Sequence, residues 1–424
     1  MTAPQQETTE ADDADDAARS ADSADSADSI DFDPFDPAYR ADPYPYYRRL
    51  RDRSPVHRTP LGHWLLTRHE DCTAVLRHPG FGHGTGQVLD QNTFRRPVRG
   101  RARPFILLDP PEHTRLRSLV NKAFTPRRVA RLEPRVREIV DGMLDDLIDA
   151  GEVDFIDAFA YRLPVSVISE MLGVPAADRD AVRELSTLVA RGVDPDFQLS
   201  KEQLENRDRA FAEFDEYFRG LLAERRARPS DDLISALVQA GDGAERLTEP
   251  ELLTTCILLY VAGHETTMDL LGNGLLALLR HPAELRRFGA DVDGLAESAV
   301  EEFLRYDPPT QLSRRTALAD AEIGGRRIAA GEQVVIMRGA ANRDPAVFAD
   351  PDRLDIGRPD NRHLAFDGGI HYCLGAPLAR LEGRVAFGAV VRRAPRMEPA
   401  FTELRYRDNL IIRGLAELPV RLRS

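Results

Sequence analysis

The chain has 424 residues, 42% hydrophobic, 30% charged and 7% aromatic, enough apolar material for a large core. Its formal charge of −13 does not point to a partner: residues 1–36 hold twelve acidic side chains against Arg19 alone, leaving the rest near −2. With no basic patch, nucleic acid is excluded as a partner, and no run approaches the ~18 apolar residues of a membrane span.

Three cysteines (Cys72, Cys256, Cys373) are too few, and odd in number, for a disulfide framework. They suit a reducing cytoplasm. The N-terminus lacks the basic and apolar regions of a signal peptide. Arginine outnumbers lysine 55 to 2 (Lys122 and Lys201), which reads as a GC-rich coding bias.

In chain order, residues 1–36 contain Ala-Asp-Ser repeats from Ala21 to Ser29 and predict a disordered acidic tail. The remainder, residues 37–424, shows neither repeat nor linker and predicts a single domain. Pro45 to Leu50 predicts a short helix, His63 to Thr67 a strand, and Asp71 to Leu76 a helix. Gly80 to Pro104 carries glycines, prolines and five arginines (Arg95, Arg96, Arg99, Arg101, Arg103) and predicts a long loop.

From Pro111 onward, apolar residues recur at helical spacing over Glu112 to Phe124, Pro126 to Leu147, Leu163 to Leu172, Asp178 to Val189 and Lys201 to Arg225. The longest such pattern runs from Thr248 to about Arg280, roughly 50 Å at ~1.5 Å per residue. Leu295 to Tyr306, just after Gly294, adds another helix. Ala321 to Ile328, Gln333 to Met337 and Leu410 to Ile412 look like strands. The fold class is mainly α with a small β-rich region.

Within the long helix lies Ala262-Gly263-His264-Glu265-Thr266-Thr267. Cys256, Leu259, Gly263 and Thr266 are expected to share a face. A glycine in mid-helix costs about 1 kcal/mol against alanine, and close approach of a ligand is one reason to keep it. The Thr266 hydroxyl can bond the carbonyl of Ala262 four residues back and locally open the helix. Glu265 beside it gives a proton path into an apolar pocket. His264 is expected to face outward.

The second stretch is Phe366-Asp367-Gly368-Gly369-Ile370-His371-Tyr372-Cys373-Leu374-Gly375, followed from Ala376 by a helical pattern. It reads as a tight glycine-shaped turn delivering a cysteine to a helix start, where the dipole and N–H donors favour thiolate, the metal-binding form. A buried structural cysteine is the plainer alternative. Zinc fits poorly, because His363, His371 and Cys373 lack zinc-finger spacing.

Phe366, Gly369, His371, Cys373 and Gly375 match F-x-x-G-x-H-x-C-x-G, and the stretch resembles the haem-ligand loop of the cytochrome P450 family. Asp367 departs from it, standing where that family usually has glycine. Ala262 to Thr266 resembles the family's oxygen-activation motif, A-G-x-[D/E]-T. Glu302-Phe303-Leu304-Arg305 resembles its E-x-x-R helix, which clamps an arginine of a later loop, here Arg358. The resemblance covers roughly Pro37 to the C-terminus.

It implies the cytochrome P450 fold, a large helical domain with a small β-rich region around a buried haem b. It makes Cys373 the axial iron ligand and Glu265 with Thr266 the proton-delivery pair. Glu302, Arg305 and Arg358 become a structural trio holding the cysteine loop. The haem-binding set is Gly263, Phe366, Gly369 and Gly375, with His113, Arg117, Arg315 (expected just ahead of a strand) and His371 on the propionates.

The implied activity is that of a monooxygenase, taking O2 and electrons from a ferredoxin and its reductase to oxidise an apolar small molecule. A polyketide- or macrolide-type natural product is the expected substrate class. Its pocket is expected from Gly84 to Ile106, Leu188 to Leu204, Leu259 with Gly263, the segment after Pro309, and Leu410-Ile411. The arginines at 95–103 are either a solvated face or a greeting for an anionic substrate. Oxidative coupling or desaturation by the same fold, and a haem carrier or sensor without turnover, are the alternatives.

Overall fold

The computed structural model describes residues 33–34, 36–84, 101–192, 194, 196–241 and 246–424. Of the tail expected over residues 1–36, residues 1–32 and 35 lie outside them, as do Arg95, Arg96 and Arg99. The main helices are α1 Tyr44–Arg53, α2 His69–Arg77, α3 Glu112–Ala123, α4 Glu133–Leu147, α5 Arg162–Leu172, α6 Arg179–Arg191, α7 Lys201–Ala227, α8 Glu249–Arg280, α9 Val292–Tyr306 and α10 Ala376–Arg393.

Helix α8 is central. It starts at a capping box, in which the Glu251 carboxylate accepts from the Thr248 N–H at 2.7 Å, with Pro250 in the first turn. No proline interrupts its 32 residues. Apolar residues on nearly every side let it be covered by α5, α6, α7, α9 and α10.

Two helices depart from the expected bounds. The pattern over Pro126 to Leu147 is split into Pro126–Ala130 and α4, because Pro134 fits a first helical turn and not an interior. Helix α9 begins before Gly294, since the Asp291 carboxylate caps it by accepting the Gly294 N–H at 3.0 Å.

The strands are β1 Val56–Arg58, β2 Trp64–Leu66, β3 Phe81–Gly82, β4 Glu152–Asp154, β5 Leu312–Ala317, β6 Ala321–Ile323, β7 Arg326–Ile328, β8 Gln333–Met337, β9 Arg396–Pro399 and β10 Pro419–Arg423. They form a sheet of order β1-β2-β8-β5-β3, a small sheet β4-β10-β9, and the hairpin β6-β7. Only the β2–β8 pairing is parallel among those described. Arg315 precedes β6 as expected, and itself lies inside β5, opposite Val334. Leu410 to Ile412 is not a strand either: Ile412 makes one isolated bridge, to Thr310. The larger sheet and α2 enclose a second apolar core around Leu66, Val75 and Ile336.

Glu302 and Arg305, three apart on α9, are both 0% exposed. Their fork is bidentate, with Arg305 Nε and Nη2 each donating at 2.8 Å. Arg358 Nε donates to the same carboxylate at 3.1 Å, and the Asp355 N–H and the Asn361 amide add two more donors. The guanidinium groups in turn hold the carbonyls of Asn342, Ala349, Pro351 and Arg353. A buried carboxylate therefore gathers the whole segment leading into the cysteine loop. Glu302→Ala strands two buried arginines and should cost about 3–5 kcal/mol. Urea unfolding checks this, and a loss below about 1 kcal/mol, the value of an exposed pair, would overturn it.

Candidate active site around the cysteine loop

The loop closes on itself: the Cys373 N–H donates to the Phe366 carbonyl at 2.9 Å, and that of Tyr372 to Gly369 at 3.2 Å. Gly375 caps α10, so the cysteine does stand at a helix start. Gly369, at φ +63, lies so close to α2 that an added Cβ would fall 2.1 Å from the Leu76 carbonyl oxygen. Asp367 also sits at φ +63, a conformation aspartate tolerates better than most side chains. Its carboxylate accepts from Arg315 Nη2 at 3.0 Å, so the departure from the family's glycine carries its own partner.

Of the three cysteines only Cys373 is exposed. Burial pushes the Cys256 thiol up to about 12 and that of Cys72 higher still. Although the residue is exposed, the Cys373 thiol itself is largely enclosed by protein. Enclosure raises its pKa, opposed by the N–H groups of Gly375 and Ala376 and by Arg117 and Arg338. The helix-start effect is thus present, but enclosure outweighs it; a cation bound at the sulfur reverses that balance.

A second clasp, not anticipated from the sequence, grips the loop directly. Glu301 takes Arg380 through two bonds of 2.7 and 2.8 Å and His363 Nε2 at 3.2 Å. Arg380 then donates to the Tyr372 hydroxyl at 3.1 Å and covers the Phe366 ring at 4.6 Å.

Beside the cysteine the structure brings together His113 from α3 and His371 from the loop, with ring centroids 4.4 Å apart. His83, which the sequence reading missed, stands 4.8 Å from His371. Arg117 Nη2 donates to the Tyr372 carbonyl at 2.7 Å. Both ring nitrogens of His113 and of His371, and Nε2 of His83, are buried without a hydrogen-bond partner among the described residues.

Burial and the neighbouring Arg315 depress His83 to about 2 and His371 to about 3; burial and Arg117 lower His113. Unpaired buried donors under a cationic field need an anion. The two carboxylates of a haem, above an accessible sulfur, fit that need.

On α8, Leu258, Ala262, Gly263 and Thr266 form the incompletely covered stripe, whereas Cys256 and Leu259 are buried in the core. The Thr266 hydroxyl donates to the Ala262 carbonyl at 3.1 Å, as expected. Gly263 also packs against α5: a Cβ there would meet the Ile168 side chain at 2.9 Å. His264 faces inward and is 0% exposed, correcting the outward expectation, because α6 covers it with Ser186.

Arg101 is paired with Asp215 at 2.5 Å and covers Phe211, and Arg103 donates to the Gly84 carbonyl. Neither is a solvated arginine. Of the expected pocket lining, residues 85–100 lie outside the described ones, Leu188 is exposed, and the N–H groups of Leu410 and Ile411 are held by Asp194.

The cytochrome P450 family profile matches residues 60–394. The chain belongs to this family. The P450 is 41% identical to a vitamin D(3) 25-hydroxylase of Pseudonocardia autotrophica over 89% of this chain and 93% of that protein. It is 42% identical to a mycinamicin IV hydroxylase/epoxidase of Micromonospora griseorubida over 88% and 94%. It superposes on the P450 PksS of the Bacillus subtilis bacillaene polyketide synthase with TM-score 0.84 at 38% identity, covering 93% of this chain and all of that one.

The P450 is accordingly a monooxygenase with a haem-thiolate cofactor. No described helix is long and apolar enough to cross a membrane.

Burial raises the Glu301 pKa, but Arg380 and His363 outweigh it and hold the group at about 2. Because folding lowers this pKa from 4.5, the clasp stabilises the P450 above pH 4.5 and its contribution is lost as pH falls toward 2. Glu301→Gln should therefore flatten that acid limb relative to wild type when unfolding is followed by denaturant titration at stepped pH. An unchanged limb would show the clasp is not the group responsible.

Proposed function

We propose that this P450 inserts one oxygen atom from O2 into an apolar natural product of polyketide or macrolide type, by hydroxylation or epoxidation. Electrons come from a ferredoxin and its ferredoxin reductase. The catalytic unit is residues 37–424, with residues 1–36 outside it. Cys373 supplies the axial thiolate, and Phe366, Gly369 and Gly375 shape its loop. His113, Arg117, Arg315 and His371 hold the propionates, and His83 joins them.

A haem with this ligation supplies the iron at which O2 is bound and reduced. The chain's own contribution is proton handling. Thr266, on the open stripe of α8, donates back to the Ala262 carbonyl, with Glu265 as the preceding residue to pass it a proton. That pairing on the uncovered stripe is the observation that carries the reading. The substrate class rests on the relatives, whose names speak of a hydroxylase, a hydroxylase/epoxidase and a polyketide synthase.

Thr266→Ala should retain haem and ligand binding while product per reducing equivalent falls, toward the ~10²-fold lower end for a lost proton donor, with peroxide appearing instead. A fully coupled variant would refute proton delivery through Thr266. Cys373→Ala should abolish the thiolate-type spectrum of the reduced carbon monoxide complex; an unchanged spectrum would remove Cys373 as ligand. A library of polyketides and macrolides, screened for the spin-state change on binding, tests the substrate class.

A further inference from the structure

Glu265 is not free to act as a simple acid. Its Oε2 accepts from Arg407 Nη1 at 2.8 Å, and Arg407 Nη2 lies 2.5 Å from both carboxylate oxygens of Asp269, one turn further along α8. On the other side, His264 Nε2 is 3.5 Å from Glu265 Oε1. Four ionisable side chains thus stand in contact, one of them on the residue preceding Thr266. His264, Glu265 and Asp269 are 0%, 5% and 1% exposed, and only Arg407 reaches solvent.

The array is built. Arg407 is carried by a C-terminal hairpin in which its N–H donates to the Gly414 carbonyl at 2.9 Å and Tyr406 bridges to Leu415. A Cβ at Gly414 would fall 1.7 Å from Asp269 Oδ1, so the hairpin leaves room for that carboxylate.

Hydrogen bonding settles where protons can sit. The Tyr260 carbonyl can only accept, so His264 Nδ1, 2.8 Å away, carries a hydrogen. In neutral His264 the Nε2 lone pair takes the Ser186 hydroxyl at 3.2 Å, and Glu265 Oε1 then faces a lone pair. A proton between Nε2 and Oε1 turns that contact from repulsive to attractive.

Charge gives the same count. One guanidinium between two buried carboxylates is neutralised only if the set holds one further proton. It can sit on Asp269 with His264 neutral, or on His264 with both carboxylates ionised. These two arrangements have equal proton number and zero net charge.

We propose that His264, Glu265, Arg407 and Asp269 form a buried one-proton store for the Thr266 hydroxyl, the proton resting on Asp269 or His264 Nε2 and leaving through Glu265. On delivery, the stored proton moves to the Glu265 carboxylate and on toward Thr266. The array is left one proton short, at net charge −1, and refills from water reaching Asp269 or His264 past the partly exposed Arg407, which stays charged throughout. Asp269, His264 and Arg407 are positioning residues acting through Glu265, and the proposal rests on reading Glu265 and Thr266 as the oxygen-activation pair.

Electrostatics agree with the geometry. Burial pushes Asp269 up to about 8 despite Arg407, with Glu265 and Asp307 adding to the rise. Burial also raises Glu265, but His264 and Arg407 hold it at about 2. The other titratable or charged neighbours are Tyr260 on α8, Tyr161 at the start of α5 with its ring 5.8 Å from that of His264, and Arg183 of α6 covering Tyr161.

Infrared difference spectra of the ferric holoenzyme, recorded across pH about 8 with isotope-labelled aspartate, test the store without turnover. The expected result is a protonated carboxyl band that shifts with the label, titrates near that pH, vanishes in Asp269→Asn and survives in Thr266→Ala. His264→Gln should strengthen the band by confining the proton to Asp269. Product per reducing equivalent should decline in wild type as pH rises past about 8, and be lower by several-fold and flat with pH in Asp269→Asn.

No labelled band in wild type overturns the store whether or not any variant folds. A band that persists in Asp269→Asn does the same. Thr266→Ala that stays coupled instead overturns the oxygen-activation reading, and the band distinguishes that failure from failure of the store.

Discussion

Glu302 is wholly buried, so its two guanidinium partners are obligatory. A carboxylate taken out of water is tolerated only when its lone pairs are filled, and here Arg305, Arg358, Asn361 and a backbone N–H fill them. Directionality makes this more than neutralisation. Each guanidinium also donates to carbonyls of the irregular segment from Asn342 to Arg353. A stretch with no ladder of its own is thereby fixed by side chains, and it is the stretch that delivers the chain to the cysteine loop.

The adjacent residue on α9 repeats the device one step closer to the chemistry. Glu301 faces Arg380 and His363, and Arg380 reaches both aromatic residues of the loop. Consecutive acids on one helix therefore grip two successive segments. The loop is held from outside by these ion pairs and from inside by the Cys373-to-Phe366 backbone bond, with Gly369 pressed onto α2. Rigid support on two sides is what a ligand sulfur needs if its position is not to be left to chance.

What the sequence made legible was local. Most of the helices, the Thr266-to-Ala262 bond, the cysteine at a helix start and the Glu302–Arg305–Arg358 trio follow from short spacings or from motifs that encode them. What it hid depends on packing between distant segments. His264 was expected outward because a histidine between two motif residues has no intrinsic side; α6, some eighty residues earlier, decides it. Gly263 advertised a close approach but did not say whose, and the fold sets Ile168 against it. Arg407 lies 142 residues from Glu265, and nothing in its own neighbourhood marks it as a partner. His83 sat in a glycine-rich run that reads as loop, and only the fold sets it against His371.

The two ends of the chemistry are wired with opposite signs. Around the cysteine loop lie arginines and unpartnered imidazoles that lack an anion, while α8 at Glu265 carries carboxylates in excess over the one arginine they share. Each imbalance would be costly in isolation: carboxylates of a bound haem would offset the first, and one added proton the second. Asp367 shows how narrow the first balance is, since it gives Arg315 an internal carboxylate at the edge of that cationic cluster. Asp269 does the reverse on α8, turning a simple ion pair into a set that needs a proton to be neutral. Asp367 lies within the cysteine-loop stretch and Asp269 one turn beyond Glu265, so each sets the charge of the machinery it adjoins.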